Sequence, residues 1–357
     1  MAKKELWKGN EAMAEAAIRA GCDAYFGYPI TPQSEIPEYM SLHMPQEGRV
    51  FLQAESEVAT INYLYGAGGS GKRVMTSSSS LGVSLMQEGL SWLSGAEVPC
   101  VLLNCMRGGP GLGTIQPGQA DYYQMTRGGA SGDHHFVCLA PGNMQEAVDM
   151  IQESFDIADQ YRNPCLIVVD GLIGQMMEPI EWHEVKKRDL PPKTWAADGR
   201  KGRAEHNVIK TIFVEPEDDN EFNEHLARKF EEMKKNEVRY EKTQCDDAEI
   251  VIVAYGTPAR VSLSVVRKLR AQGVKVGLFR PQTIWPYPEE ALHEVAAQDS
   301  VKRILCVEMS EGQMIDDVRL SVEGQKPIDF YGKAGGVVPT VEEIAEQVEK
   351  AVKEAVR

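Results

Sequence analysis

Two short stretches near the start of the chain carry side chains that can bind or activate a small polar molecule. In the first, Pro29 and Pro32 fix their own φ and push the residues before them into extended geometry, so the turn presents the hydroxyl of Thr31. In the second, Glu55 and Glu57 stand at the head of an apolar helical run. A carboxylate beside buried surface, at a turn from strand to helix, can hold one charged group of a ligand.

Two later stretches offer further polar contacts. A run of four serines, residues 77–80, ends a predicted short strand, and Arg107 opens a loop rich in glycine. An arginine can grip a carboxylate with two parallel hydrogen bonds, and glycines let a loop approach a ligand closely. His134 and His135 have no evident cysteine or serine nucleophile to pair with, so we expect them at an interface or on the surface.

One glycine-rich segment imitates a nucleotide-binding motif. Residues 66–72 read GAGGSGK and match the spacing of a P-loop up to its last position, where Arg73 replaces the serine or threonine that holds magnesium. The segment also lies between a predicted helix and a predicted strand, whereas a P-loop follows a strand and precedes a helix. We therefore predict a simple turn there.

Composition and charge exclude several classes of protein. With 357 residues, 43% hydrophobic and 25% charged, the chain is long enough for two domains with separate cores. Its net charge of −15 argues against a nucleic-acid partner, which would need clustered lysine and arginine. No apolar run approaches the roughly 20 residues that span a bilayer, so we expect no membrane segment.

The seven cysteines indicate a reducing environment. Five of them lie in apolar, strand-like runs, which is typical of small buried thiols. No Cys-x-x-Cys pair occurs, so neither a zinc ribbon nor a ferredoxin-type iron–sulfur site is predicted in this chain. An odd number of scattered thiols without a signal peptide leads us to expect a cytoplasmic protein.

The pattern of elements brings the polar stretches together. Helix and strand signals alternate from Asn10 to about Asp170, which predicts a largely parallel sheet covered on both faces. In open sheets of this kind, ligands bind beyond the carboxyl ends of the strands. Thr31, residues 77–80 and Arg107 all follow predicted strand ends.

A second α/β pattern begins after a charged connecting segment. We expect a first domain at residues 1–178, a linker or insertion at 179–246 and a second domain at 247–357. Within the linker, one helix is predicted near Glu221–Lys235. A capping box over residues 340–343 begins the last helix of the chain.

These motifs, in this order, resemble a known family. Residues 27–32 (GYPITP) and 53–57 (QAESE), with the loops that follow, are similar to the pyrimidine-binding domain of thiamine-diphosphate enzymes. The most similar group is the alpha-type subunit of 2-oxoacid:ferredoxin oxidoreductases, and the resemblance covers nearly the whole chain. It implies an α/β pyrimidine-binding domain followed by a transketolase C-terminal-like α/β domain.

The resemblance also implies roles for particular residues. Glu57 takes the position of the glutamate that hydrogen-bonds N1′ of the cofactor pyrimidine and so favours its reactive imino tautomer, with Glu55 as the alternative. Pro29, Ser78 and Ser79 fall at cofactor-binding positions. A carboxylate in a partly apolar pocket has the raised proton affinity that such a task requires.

Thr31 and Arg107 match the positions that contact the substrate carboxylate in this family. In the serine segment, Leu81 replaces a proline of the family pattern. The chain has no Gly-Asp-Gly segment, so we expect it to supply the pyrimidine half of the site and no metal ligand.

The resemblance assigns the remaining parts of the enzyme to partner chains. A beta-type subunit would bind the diphosphate, Mg²⁺ and iron–sulfur clusters, beside a gamma-type subunit and a ferredoxin-like subunit. The reaction would use a 2-oxoacid and coenzyme A, and would pass electrons to ferredoxin.

The loop of residues 109–117 bears on the substrate. It resembles the branched-chain members, which act on 3-methyl-2-oxobutanoate, whereas members that act on 2-oxoglutarate tend to have a Ser-Thr-Gly version. We expect the apolar side chains of Leu112 and Ile115 to line the substrate pocket. Three alternatives stay open: a 2-oxoglutarate subunit, a non-catalytic scaffold, and the beta chain of an NAD-linked 2-oxoacid dehydrogenase.

Overall fold

The structure, a computed structural model that describes residues 4–183 and 185–355, alternates short strands with helices along the chain. The strands are β1 (Lys4–Lys8), β2 (Ala24–Gly27), β3 (Val50–Gln53), β4 (Val74–Ser78), β5 (Val101–Met106), β6 (Val137–Leu139), β7 (Cys165–Asp170), β8 (Met177–Glu181), β9 (Tyr240–Thr243), β10 (Ile250–Val253), β11 (Val276–Pro281), β12 (Thr283–Trp285), β13 (Arg303–Glu308) and β14 (Ile328–Gly332). The helices are α1 (Gly9–Arg19), α2 (Glu35–Gln46), α3 (Glu57–Gly69), α4 (Leu81–Gly95), α5 (Tyr122–Thr126), α6 (Met144–Tyr161), α7 (Gly171–Gln175), α8 (Pro216–Asn236), α9 (Gly256–Arg270), α10 (Glu289–Ala297), α11 (Met314–Val322) and α12 (Val341–Ala355). This alternation confirms the predicted α/β class.

The larger of the two main sheets places the predicted polar stretches side by side. Its strands lie in the order β12-β6-β7-β5-β4-β2-β3, and neighbours pair in parallel except β12, which runs antiparallel to β6. Because β2, β4 and β5 are adjacent and parallel, the loops that follow Gly27, Ser78 and Met106 leave the same edge of the sheet.

Helices cover both faces of this sheet, as its buried parallel strands require. Leu102 of β5 belongs to an apolar cluster with Ile61 of α3 and Leu90 of α4. Leu103, the next residue, points to the opposite face and belongs to a second cluster that includes Ala16 of α1. The two clusters fix the sheet between its helices and so set the edge from which the polar loops leave.

The smaller sheet has the order β14-β13-β10-β11-β9 and is parallel except for β9. Helices α9 and α12 cover one of its faces. On the other face, Val251 of β10 lies in the same apolar cluster as Leu90 of α4, so the two sheets share a continuous core. The segment 280–286 contributes β12, whose Trp285 pairs with Cys138 of the larger sheet.

Other elements agree with the sequence in part. Residues 66–69 form the last turn of α3, and the turn that follows leads into β4, so the predicted order of helix, turn and strand is confirmed although the helix extends into the segment predicted as a turn. The helix predicted at Glu221–Lys235 runs longer, from Pro216 to Asn236. Helix α2 and the antiparallel pair β1–β8 were not predicted. Nowhere in residues 4–183 and 185–355 does a helix have the length and apolar content needed to cross a bilayer.

Candidate cofactor and substrate site

Helix α3 begins with a carboxylate held inside the protein. The Ser56 hydroxyl caps the helix by accepting a hydrogen bond from the Ala59 amide at 3.1 Å. Glu57, the first helical residue, is only 6% exposed, whereas Glu55 is exposed. Among the described residues, none donates a hydrogen bond to the Glu57 carboxylate. The structure therefore distinguishes the two glutamates by burial.

The Glu57 carboxylate faces the serine run across the start of α4. A methyl group built on Gly82 would lie 2.6 Å from Oε1 of Glu57 and 2.2 Å from Oγ of Ser78, so both oxygens converge on that glycine. The hydroxyls of Ser78 and Ser79 are buried and have no partner in the part of the chain that the structure describes. Buried polar groups without partners are costly, so these hydroxyls are candidates for hydrogen bonds to a ligand.

The turn after β4 is fixed to the end of β5 by a small polar network. Ser80, at φ +27°, donates through its hydroxyl to Asp121 at 2.6 Å, and that hydroxyl accepts from the Arg107 amide at 3.0 Å. Asn104 donates to Asp121 at 2.9 Å and accepts from the Ser80 amide at 2.9 Å. Burial raises the pKa of Asp121, although the hydrogen bonds from Ser80 and Asn104 oppose this.

Sequence reasoning missed Asn104 and Asp121. The signal for Asn104 was present, because it is the one polar residue in the apolar strand β5. Asp121 stands in a loop without regular pattern, and only the fold brings it to Ser80.

Arg107 joins the proline turn to the glycine-rich loop. Its guanidinium donates from Nη1 to the carbonyl of Thr31 and from Nη2 to the carbonyl of Leu112, each at 2.9 Å. Arg107 is 8% exposed, and its Nε is buried with no partner among the described residues. The structure thus brings together Thr31 and Arg107, the two residues predicted to contact a carboxylate.

A cavity of about 350 Å³ lies beside Thr31 and is lined on its other side by Ile115, Gln116 and Leu172. The expectation that Leu112 and Ile115 line one pocket is wrong for Leu112 in this structure. Its carbonyl is turned in to Arg107, and its side chain is 76% exposed. Pro29 lies exposed on the same turn as Thr31.

Glu35 lines the same cavity and belongs to a polar cluster under the proline turn. Asn10 donates to Glu35 at 2.6 Å and to the carbonyl of Pro32 at 2.9 Å. Burial raises the pKa of Glu35, but the hydrogen bonds from Lys8 and Asn10 outweigh it and leave the pKa below its usual value. This cluster holds the turn in place.

His134 is buried and His135 is half-buried, so neither is fully exposed, and their place at an interface stays a prediction. His134 is 8% exposed, and its Nδ1 bonds the carbonyl of Gly132 at 3.1 Å. His135 stacks on Trp285 of β12, with ring centroids 4.7 Å apart. Burial lowers the pKa of both side chains. His135 therefore packs at the junction that β12 makes with the larger sheet.

Two family models match consecutive parts of the chain. The model described as "Pyruvate flavodoxin/ferredoxin oxidoreductase, thiamine diP-bdg" matches residues 15–242, and "Pyruvate:ferredoxin oxidoreductase core domain II" matches residues 248–344. The chain belongs to the 2-oxoacid:ferredoxin oxidoreductase family. This confirms the resemblance seen in the sequence motifs.

Individual relatives within the oxidoreductase family cover nearly the whole chain. Ketoisovalerate oxidoreductase subunit VorB of Methanothermobacter thermautotrophicus is 44% identical over 344 residues, which is 96% of this chain and 97% of that protein. The 2-oxoglutarate synthase subunit KorA of Methanothermobacter marburgensis is 31% identical over 382 aligned positions, covering 98% of this chain and 99% of that protein.

A solved structure shows the same fold. The chain of 2-oxoglutarate:ferredoxin oxidoreductase from Magnetococcus marinus aligns with a TM-score of 0.89 at 23% identity. The match covers 98% of this chain and 66% of that longer one.

The residues present fit the thiamine-diphosphate domain of the oxidoreductase family. An aminopyrimidine ring has a nitrogen acceptor, which a protonated carboxyl can satisfy, and an amino group that donates to hydroxyl oxygens. The site offers a buried carboxylate at Glu57 and free buried hydroxyls at Ser78 and Ser79. These are the types of atom that such a ring requires.

Proposed function

We propose that this chain is the pyrimidine-binding subunit of a thiamine-diphosphate-dependent 2-oxoacid:ferredoxin oxidoreductase that acts on branched-chain 2-oxoacids. The observation that carries the proposal is the burial of Glu57 without a partner, facing the equally unpartnered hydroxyl of Ser78 across Gly82. A carboxylate left unpaired inside a protein destabilises the fold, so its presence at a strand edge favours a ligand-binding role.

Each residue near the strand edge has a separate task in this proposal. Glu57 holds a hydrogen bond at N1′ of the pyrimidine, and Ser78, Ser79 and Pro29 bind the ring from the adjacent turns. When bound, thiamine diphosphate supplies the carbanion stabilisation that decarboxylation of a 2-oxoacid requires.

Arg107 and Thr31 bind the substrate carboxylate. The Arg107 guanidinium already points to the Thr31 carbonyl and has N–H groups left over, including the unpartnered Nε. Overall, the 2-oxoacid loses carbon dioxide, its acyl group is transferred to the thiol of coenzyme A, and two electrons pass singly to ferredoxin.

The substrate is proposed to be 3-methyl-2-oxobutanoate, also called ketoisovalerate. The VorB relative is 44% identical, against 31% for the KorA relative. Ile115 presents an apolar side chain to the cavity beside Thr31, which suits an isopropyl group. The similarity to KorA keeps 2-oxoglutarate as the second candidate.

The rest of the complex is proposed from the family. A beta-type partner would carry the diphosphate-binding residues, Mg²⁺ and iron–sulfur clusters, and gamma-type and ferredoxin-like subunits would complete the assembly. All seven cysteines are free and buried, which suits a reducing cytoplasm. We also propose the division into residues 1–178, 179–246 and 247–357, with β9 pairing to β11 of the smaller sheet.

The test is a pair of glutamine variants in the complex formed with the partner subunits. Glu57→Gln should assemble and lose turnover by about 10² to 10⁴-fold, because glutamine keeps the shape of the side chain but cannot transfer a proton to or from a ligand. Glu55→Gln, which changes an exposed residue two positions away, is the matched control and should turn over normally. Loss of activity in Glu55→Gln alone would move the role to Glu55, and full activity in both would refute the proposal.

A further inference from the structure

We propose that Gly335 and Gly336, called here the glycine pair, position the loop of residues 107–118 for binding the substrate carboxylate. The proposal rests on the function proposed above, in which this loop carries Arg107. It gives the C-terminal part of the chain a role in substrate binding.

The glycine pair contacts the loop through backbone atoms. A methyl group built on Gly108 would lie 2.9 Å from the carbonyl carbon of Gly335 and 2.9 Å from the amide nitrogen of Gly336. One built on Gly336 would lie 2.5 Å from Cβ of Gln116 and 2.8 Å from Cγ2 of Thr114. Carbon atoms in contact prefer roughly 3.5–4.0 Å, so this approach requires glycine on both sides.

The loop is closed by its own hydrogen bonds. Moving the residues that contact the glycine pair should therefore also move the residues that contact Arg107. The amide of Gly108 donates to the carbonyl of Gln116, and the amide of Thr114 donates to the carbonyl of Gly108, each at 2.9 Å. On the inner side, Arg107 donates to the carbonyl of Leu112 at 2.9 Å. The glycine pair therefore contacts the same closed loop that holds the Arg107 guanidinium.

The smaller sheet holds both the glycine pair and the end of the loop. The pair follows β14, where the amide of Lys333 donates to the carbonyl of Glu308 at 3.1 Å. Just beyond the loop, the amide of Gln119 donates to the carbonyl of Met309 at 2.9 Å. The side-chain amide of Gln119 donates to the carbonyl of Tyr255 at 3.0 Å. The position of the loop is thus set from the C-terminal part of the chain.

The two glycines differ in a way that separates contact from backbone strain. Both have positive φ, +70° at Gly335 and +93° at Gly336, so alanine is strained at either position. A methyl group at Gly335 would meet no atom within 4 Å, whereas one at Gly336 collides with Gln116. Gly335→Ala is therefore a control that adds strain without the collision.

The experiment compares both variants in the assembled complex, with 3-methyl-2-oxobutanoate as substrate and a viologen as electron acceptor. Gly336→Ala should raise KM at least about tenfold, because displacing a positioned group by about 1 Å can cost up to 10²-fold. Its affinity for thiamine diphosphate and its Tm should match those of Gly335→Ala. The KM of Gly335→Ala should rise far less. Because Gln116 also lines the cavity, the comparison is with Gln116→Gly alone. In that background Gly336→Ala should raise KM by a smaller factor than in the wild type, because the Cβ that the new methyl group meets is gone.

Equal losses in the two alanine variants, or an undiminished rise in KM in the Gln116→Gly background, would overturn the positioning role. Hydrogen exchange over residues 107–118 gives a readout independent of turnover, and Gly336→Ala should speed it relative to Gly335→Ala. Unchanged exchange would refute the contact itself. A wild-type complex without any 2-oxoacid turnover would instead refute the proposed function and, with it, the role in substrate binding. If Gly336→Ala does not assemble, Gly108→Ala in a Thr114→Ser background tests the contact from the loop side, because serine lacks the Cγ2 atom that the methyl group at residue 108 would also meet.

Discussion

Glu57 and Ser78 converge on Gly82: one carboxylate oxygen and one hydroxyl oxygen both lie within 2.6 Å of the point where a side chain at residue 82 would start. Among the described residues, neither oxygen has a hydrogen-bond partner. The absence of a side chain on this glycine lets both atoms pack against the start of α4. The relationship links α3, β4 and α4 in a single binding feature.

Gly82→Ala is expected to weaken binding of thiamine diphosphate while the fold is kept. The new methyl would push on Glu57 and Ser78, and overpacking of this kind costs about 1–3 kcal/mol, which is on the order of 10- to 100-fold in affinity. Gly95→Ala, in the same helix, is the control, because its methyl would keep an ordinary 3.6 Å from Thr211. Calorimetric titration of the complex measures both, and equal affinities would remove Gly82 from the cofactor site.

Arg107→Lys is expected to lower kcat/KM for every 2-oxoacid by a similar factor. A guanidinium bonds the carbonyls of Thr31 and Leu112 at once, whereas a single ammonium nitrogen cannot reproduce that fork. The kcat/KM should fall roughly 10²-fold through misplacement of the loop and loss of the carboxylate contact.

Arg127→Lys is the control, because it removes a pair of guanidinium hydrogen bonds that lies away from the site. Arg127 bonds both oxygens of Asp317, between the parts of the chain that carry the two sheets. This variant should lower Tm while KM stays normal. A normal KM in Arg107→Lys would instead show that the arginine acts only in folding.

Local signals predicted elements well where they were complete within a few residues. The capping box is formed as expected, with the Thr340 amide donating to Glu343 at 2.9 Å and the Glu343 amide donating to Thr340 at 3.2 Å. Helix α12 accordingly spans Val341–Ala355, as the sequence indicates. Strand β12 was missed because its pairing with Cys138 depends on residues far apart in the sequence.

The site could be predicted as a set of residues but not as a geometry. The order of the motifs selected Glu57, Thr31 and Arg107 as candidates, and parallel strands bring the ends of β2, β4 and β5 to one edge. The exposure of Leu112 depends on how the loop closes on Arg107, with positive φ at Gly111 and Gly113. No periodic pattern encodes such a loop.

The stability of the chain should depend on pH through Glu97, in the turn after α4. Burial raises the pKa of this carboxyl, but Lys229, His225 and Arg162 outweigh it and leave the pKa below its usual value of 4.5. A carboxyl with a depressed pKa stabilises the folded state above 4.5, and that contribution is lost as the pH falls through the lowered pKa.

Glu97→Gln should therefore lower the free energy of unfolding at pH 7 by on the order of 3 kcal/mol, because it leaves buried Lys229 without its counter-ion. The difference from wild type should shrink as the pH falls below 4.5. Urea unfolding at several pH values measures it. Glu88→Gln, at an exposed position of α4, should change little at any pH. A difference that stays constant with pH would contradict a role for the ionised carboxylate.

Substrate choice is expected to depend on Ile115 and not on Leu112. Ile115 lines the cavity beside Thr31, whereas Leu112 is 76% exposed. The Glu35 carboxylate lines the same cavity and would repel the second carboxylate of 2-oxoglutarate, and burying that group against Ile115 is costly. We therefore expect 3-methyl-2-oxobutanoate to be preferred by roughly 10²-fold or more in kcat/KM.

Ile115→Ala should lower the ratio of kcat/KM for 3-methyl-2-oxobutanoate to kcat/KM for pyruvate. Contacts with the methyl groups of the larger substrate are worth about 1–3 kcal/mol, and the variant loses them. Leu112→Ala, at the opposite side of the same loop, should leave that ratio unchanged. Assays of the three substrates side by side with a viologen acceptor decide the matter. Equal or better use of 2-oxoglutarate by the wild-type complex would reject the branched-chain substrate while leaving membership of the family untouched.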